Sequence, residues 1–505
     1  MKFKKIFGAV FILGLTANSL FAQETNQIEQ LQKQLQQMQE NFEKAQRDQK
    51  QQIEALTKKL DNLQKNSGAA SATNQSAEPK TAGQKKLEQE LAAQLEKELG
   101  TNLPPKIATA PENSPTPKTF FSSEPIAVAR VGSAYMNISF DALMDAGWSS
   151  AADPSARLEL GDHDPIKRGF SLRNAEIALD GAIDPYFKGF GNIVLKLDKN
   201  NETSIELEEA YLMTTSLRHN LQLKAGQFFA NFGRQNPQHP HQWAFVDQPI
   251  ILNRAFGPDG LRSISAQLSW LTPLPFYTEI FLDVLDGQGG TSHSFRNRGE
   301  ADSLGVNRFA GRATFDGNLR GPRDLVYVPR IASSFEITET QTLLAGLSGA
   351  FGSNETGPHN RTEIYGADIF WKWKPANASQ GFPFVSWQTE ALYRRFGAGE
   401  DLPAGLAAEN LRDYGFYSQV LYGFKPRWVA GIRGDFATGN SAVFDSSDPF
   451  RGERYRISPA LTWYPSEFSK IRLQYNYDHG EYFGVEHSLW MQVEFLLGAH
   501  GAHKF

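Results

Sequence analysis

From Lys470 to Asp478, the apolar residues Ile471, Leu473, Tyr475 and Tyr477 alternate with Lys470, Arg472, Gln474, Asn476 and Asp478. This period of two constrains the chain more than any other feature, because it recurs along most of the sequence. Tyr455, Ile457, Leu461 and Trp463 alternate with Arg454, Arg456, Ser458 and Thr462. Val385, Trp387, Ala391 and Tyr393 alternate with Ser386, Gln388, Glu390 and Arg394, and Tyr365, Ala367, Ile369 and Trp371 with Gly366, Asp368 and Lys372. A helix would scatter such residues around its circumference, whereas a strand sorts them onto two faces. Segments of about ten residues, apolar and aromatic on one face and charged on the other, have the length and pattern of strands that cross a bilayer. A soluble β-sandwich is disfavoured, since its dry core would have to bury the Arg, Lys, Asp and Glu of the second face. The segment Ser204 to Met213 departs from the pattern, because Glu206, Glu208 and Glu209 cannot all face water in one register. A bulge or a position near a rim is expected there.

Connections between these segments fall into two classes. Short turns are expected at 184–186, 214–220, 272–275, 338–341, 375–383, 425–427 and 465–469. Longer loops are expected at 146–169, 230–260, 286–330, 353–362, 397–413, 439–453 and 479–487, with a shorter one near Asn200. The classes alternate without a break, which predicts an all-β transmembrane barrel of about 16 antiparallel strands over 126–505. Its even strand count returns both ends of the chain to one side. The mean hydropathy of −0.44 and the lack of a long apolar run exclude a helical membrane protein. The high aromatic share, 12%, fits strands that alternate lipid-facing and water-facing residues.

The beginning of the chain predicts where such a barrel would reside. A lysine-rich start, a short apolar run from Ile6 to Leu15 and small residues up to Ala22 describe a signal peptide over 1–22. The run is too short to span a bilayer as an anchor. Residues 23–66 carry a seam at Ile28, Leu31, Leu35, Met38, Phe42, Ala45, Ile53, Leu56, Leu60 and Leu63, which is a heptad pattern with one stutter. One strand of a coiled coil cannot bury its own stripe, so an oligomer is expected, with a homotrimer preferred. Residues 67–125 are rich in Ser, Ala, Thr, Asn and Pro and form a tether, interrupted by one short helix through Leu87, Leu91, Leu95 and Leu99. The expected place is the bacterial outer membrane, with the coiled coil in the periplasm.

Sixteen strands leave room for a channel, which eight would not. On the inferred inner faces stand Lys372, Arg394, Arg433, Arg454, Arg456, Lys470 and Arg472, opposed by Asp368, Glu390, Asp435, Asp478 and Glu494. These are the candidate pore-lining charges. The 286–330 loop is a candidate constriction through Arg296, Arg298, Arg308, Arg312, Arg320 and Arg323. Each set exceeds its acidic counterpart only slightly, which is compatible with a mild anion preference or with none. A net charge of −5 gives no reason to expect nucleic acid.

The absence of cysteine removes disulfides and thiolate metal sites alike. His239, His241 and Asp247 are weak metal candidates; the competing reading has them hydrogen-bonding within a loop folded into the barrel mouth. His500 and His503 form a second pair. No nucleophile elbow, phosphate loop or metalloprotease motif occurs, so neither an enzyme nor a bound cofactor is expected. Glu208 and Glu209, adjacent on a strand, are expected to point to opposite faces and not to act together.

Ser171-Leu172-Arg173-Asn174-Ala175-Glu176, Glu208-Glu209-Ala210-Tyr211, Ala225-Gly226-Gln227-Phe228, Gly233 to His241 and the terminal Gly498 to Phe505 occur in this order. Together with the signal, coiled coil and barrel, they resemble the phosphate-selective porin O and P family over about Ile126 to the end. The resemblance implies a trimeric, passive outer-membrane channel for small solutes or anions. The lysine cluster expected of a phosphate-binding loop is missing, so no binding residues are carried over. A terminal Phe505 also suits an outer-membrane protein, although it lies eight residues beyond the expected strand end at Leu497. Two other readings stay open: a structural tether from the outer membrane to peptidoglycan, and a metal-ion-related channel.

Overall fold

The computed structural model describes residues 126–498 apart from Ser133, Ile183, Ser216, Asp316 and 441–450. The expected signal peptide, coiled coil and tether, and the tail with His500, His503 and Phe505, lie outside these residues.

Sixteen long strands form one closed antiparallel sheet. In chain order they are β1 (Ala134–Ser149), β2 (Gly169–Ala182), β3 (Phe187–Leu197), β4 (Thr203–Thr214), β5 (Leu221–Phe229), β6 (Arg262–Leu271), β7 (Tyr277–Leu285) and β8 (Val326–Thr338). They continue as β9 (Gln341–Ser353), β10 (Arg361–Trp373), β11 (Phe384–Ala398), β12 (Glu409–Lys425), β13 (Trp428–Gly439), β14 (Arg454–Ser466), β15 (Ser469–Gly480) and β16 (Gly484–Leu497). Each pairs with its neighbour in sequence, and β16 closes the ring onto β1 from Phe140↔Leu497 to Ser149↔Ser488. A short strand, Ile126–Val131, pairs with the first part of β1 on the same edge, beyond where β16 ends. The sheet therefore has no free edge along most of β1, which satisfies backbone groups that lipid could not.

The alternation read from the sequence is the alternation of burial. On β14, Arg454, Arg456, Ser458 and Thr462 are buried inside while Ile457, Leu461 and Trp463 are exposed outside. The outer face also carries Trp148, Trp270, Trp387, Tyr393, Tyr414, Tyr422, Ile432, Leu473 and Leu489. Stacked Trp428 and Trp463, 5.9 Å between ring centroids, add to this aromatic surface at the short-turn end. Seven connections lie at that end and eight at the other, as the spacing predicts, but the expected long loop 479–487 is only the turn 481–483, and the expected short turn 375–383 is a longer connection over 374–383.

Among the irregularities of register, two bulges matter to the interior. Between β1 and β2, Leu143 faces Asn174 but Met144 faces Leu172, so Arg173 is the extra residue. Between β3 and β4, Asn192 faces Glu209 but Ile193 faces Leu207, so Glu208 is the extra residue. A bulge lets two successive side chains leave on the same side. Glu208 and Glu209 are accordingly both buried inside, which overturns the expectation that their adjacency keeps them apart. Backbone carbonyls exposed by the bulge are taken up by Arg262 Nη1, which donates to Leu207 O at 3.1 Å and Glu208 O at 2.8 Å.

Candidate functional site

The 230–261 connection folds into the barrel, where it contacts inward side chains of several strands. Its apolar part surrounds a short helix, α1 (Ile250–Phe256), in which every residue is buried. Phe232, Ile250, Ile251, Leu252 and Phe256 pack with Val326, Val328, Ala350, Ile364, Leu392 and Ala437 from the strands. The last six occupy inward positions, so the inner face is apolar where the helix rests and charged elsewhere. Full burial of Phe232, Phe245 or Phe256 stabilises the fold by about 1.5–3 kcal/mol each. Gly366 on β10 makes room for Phe232, since a Cβ there would lie 2.6 Å from the ring.

Polar latches fix the same loop. The Glu390 carboxylate accepts hydrogen bonds from the backbone amides of Arg234 (3.0 Å) and Gln235 (2.7 Å) and from Tyr417 Oη (2.7 Å). Gly233 sits at φ +61°, and a Cβ on it would lie 2.1 Å from Glu390 Oε2, so the latch requires glycine there. Asp247 accepts from Arg433 Nη2 (2.6 Å), Arg456 Nη1 (2.8 Å), Gln474 Nε2 (2.9 Å) and Asn476 Nδ2 (2.7 Å). Burial opposes its charge, but the two guanidiniums outweigh it and hold the Asp247 carboxyl down at about 2.

Most of the charges expected on the inner faces clamp the loop or one another. Arg433 also bonds Asp435 (2.7 Å), whose other oxygen accepts from the Ile250 amide (3.3 Å). Arg454 and Arg456 share Asp478, and Arg394 pairs with Asp413 (2.7 Å) while donating to Arg254 O. Asp368 holds Arg330 at 2.6 Å. Lys470 pairs with Glu494 and donates to His241 O at 2.5 Å, and Arg472 donates to Trp243 O at 2.8 Å. Lys372 is half-buried.

The 286–330 arginines take other places. Arg296 is buried against Asp286 and Glu355, Arg312 against Glu409, and Arg308 bridges Asp302 and Asp401. Arg298, Arg320 and Arg323 are exposed. From this connection, Phe295 joins the apolar core and Ser294 donates to Ala255 O. The 230–261 segment thus enters the lumen with its apolar helix, and 286–330 adds Phe295 and Ser294 to the same packing.

A second polar group gathers around the two loop histidines. His239 Nδ1 lies 2.8 Å from Glu208 Oε2 and its Nε2 lies 2.9 Å from Glu209 Oε2. Burial works against a charge on His239, but Glu208 and Glu209 raise its pKa well above the usual range. Asn192 donates to Glu208 at 2.6 Å. The His241 ring stacks on that of His239, 5.7 Å between centroids, and its Nδ1 lies 3.3 Å from Glu176 Oε2. His163, on the 150–168 loop, lies 3.2 Å from Asp259 and 3.4 Å from Glu208. Burial again opposes its charge, but Asp259 and Glu208 prevail and bring its pKa up to about 10. Asp247 stands apart from this group, among arginines, so it is removed from the expected metal trio.

Sequence reading missed Asp141, Glu176, Glu208, Glu209 and His163 as members of one site. A signal was present: three of the motifs in 171–241 contain residues that meet here, and Glu206 to Glu209 breaks the period of two. Beneath the loop, a cavity of about 200 Å³ is lined by His241, Trp243, Tyr464, Lys470, Arg472 and Glu494, among others.

A closed antiparallel ring with an aromatic, apolar outside and a charged inside is the architecture of a transmembrane β-barrel. No protein-family model matches the chain. It is 30% identical over 357 residues to an uncharacterised protein of Aquifex aeolicus (strain VF5), covering 67% of this chain and 71% of that one, and it belongs to the family of that protein. Among solved structures it is similar to the outer membrane channel DcaP of Acinetobacter baumannii, at 12% identity and a TM-score of 0.48, covering 72% of this chain and 97% of that one. It is also similar to an anion-selective porin from Comamonas acidovorans, at 7% identity and a TM-score of 0.45, covering 72% and all of that chain.

Proposed function

We propose that this chain is an outer-membrane porin through which small hydrophilic solutes diffuse passively, narrowed by the inserted 230–261 loop. The observation that carries the reading is the sorting of sixteen strands into an apolar outer and a charged inner face around a lumen wide enough to hold a loop. A mild preference for anions of the phosphate type belongs to the same proposal. Lys470 and Arg472 against Glu494 in the cavity below the loop support it, as does the resemblance of the ordered motifs to the phosphate-selective porin family. Export by residues 1–22, trimerisation through 23–66 and a tether over 67–125 complete the proposal, on the strength of the sequence patterns alone.

Planar-bilayer recording of the purified protein tests it. Stepwise openings in groups of three, with a reversal potential in a salt gradient on the anion side, are the expected result. A silent bilayer would overturn the channel, and a strong cation preference would overturn the selectivity.

A further inference from the structure

We propose that Asp141, Glu176 and His241 form a binding site for a divalent transition-metal ion such as zinc, inside the barrel wall and beneath the loop. Asp141 on β1 and Glu176 on β2 are direct cross-strand partners, and both side chains are fully buried. Like charges placed opposite each other on a sheet repel, and burial removes the water that would screen them. Both Asp141 carboxylate oxygens are buried without a hydrogen-bond donor. Lys470 of β15 pairs with Glu494 and donates to the His241 carbonyl rather than hydrogen-bonding Asp141.

The loop completes the arrangement by bringing in an imidazole nitrogen. His241 Nδ1 lies 3.3 Å from Glu176 Oε2 and 3.9 Å from Asp141 Oδ2, and the three donor atoms lie within 4.8 Å of one another. Ligands about 2.0–2.2 Å from a tetrahedral zinc ion stand at similar separations from each other. Two carboxylates balance the charge of a divalent ion, and one imidazole with two oxygens suits zinc, copper or manganese better than calcium. The partners behind the ligands are in place. Asn174 Nδ2 donates to Glu176 Oε1 at 2.8 Å, and His241 is stacked on His239. Three protein ligands leave a coordination position open, and His241 also lines the cavity below the loop, from which water or an anionic solute would reach it.

The His239 group differs, because both its ring nitrogens already have carboxylate partners. The proposed site is the one that contains Asp141, a buried carboxylate whose two oxygens receive no hydrogen bond. It stands independently of whether the barrel conducts.

Full-length protein in detergent, stripped with a chelator, is titrated with zinc by calorimetry and with cobalt(II) by visible absorption. Saturable binding of one ion per chain is expected, retained in the His500→Gln/His503→Gln double variant. Asp141→Asn, Glu176→Gln and His241→Gln should each weaken it by at least about tenfold, the loss that even an outer-shell partner causes. Asp141→Asn removes a buried repulsion and is expected to fold, as heat-modifiable gel mobility will show, so it decides the matter if Glu176→Gln does not fold. Absence of saturable binding to the stripped wild type, or binding undiminished in Asp141→Asn, would overturn the proposal.

Discussion

Replacing Asp247 with alanine isolates the physics of the loop. Its carboxylate is almost completely buried and accepts four side-chain hydrogen bonds, two of them from guanidiniums on β13 and β14. Removing one member of a buried ion pair costs about 3–5 kcal/mol, because the partner keeps its charge without compensation. Here Arg433 retains Asp435 at 2.7 Å and Arg456 retains Asp478 at 2.9 Å, so the lower end, about 3 kcal/mol, is expected. The loop base stays fixed by the Glu390 latch and the Phe232–Phe256 core, while the 242–249 stretch loses its anchor. Urea unfolding followed by gel mobility should show the destabilisation, and bilayer recording should show a larger single-channel conductance. Acid should reproduce part of this in the wild type. Asp247 is held at about 2 against an ordinary 3.8, so its contribution is complete above 3.8 and is lost as pH falls through 2. Asp247→Asn should remove that acid step. An alanine variant with unchanged unfolding and unchanged conductance would refute the claim that this clamp holds the constriction.

Gly233→Ala forces a side chain into a left-handed backbone and against Glu390, and should cost about 1–3 kcal/mol in the same unfolding assay. A fully neutral result would mean the latch is not formed. Ile432→Arg places a charge on the outer face near mid-strand and should destabilise the protein in lipid by about 2–4 kcal/mol, with little effect if that face met water instead. His163 has a raised folded pKa, so its pairing with Asp259 and Glu208 contributes fully below about 6.5 and is lost as pH rises through about 10. A stability profile in detergent should decline over that window in the wild type and lose this component in His163→Gln; identical profiles would contradict the assignment.

The barrel was legible in the sequence because a strand converts order along the chain directly into sidedness. Arg454, Arg456, Lys470 and Arg472 could be placed inside, and Trp463, Leu473 and Tyr475 outside, by counting in twos. The alternation of short turns with long loops predicted sixteen strands for the same reason: each connection reports only on its two neighbours. Glu206 to Glu209 announced an irregularity but not its outcome, since a bulge depends on what the facing strand and Arg262 supply.

The sequence by itself determined the closed wall, its two faces and the strand count, all consequences of local periodicity. Only tertiary structure decided which loop enters the lumen, because burial of α1 depends on a matching apolar patch drawn from five distant strands. For the same reason it took the folded barrel to join Asp247 to Arg433 and Arg456, and His241 to a carboxylate pair contributed by two other strands. Those contacts link residues roughly 65 to 210 positions apart in the chain, and no periodicity encodes which of the many inward charges will meet.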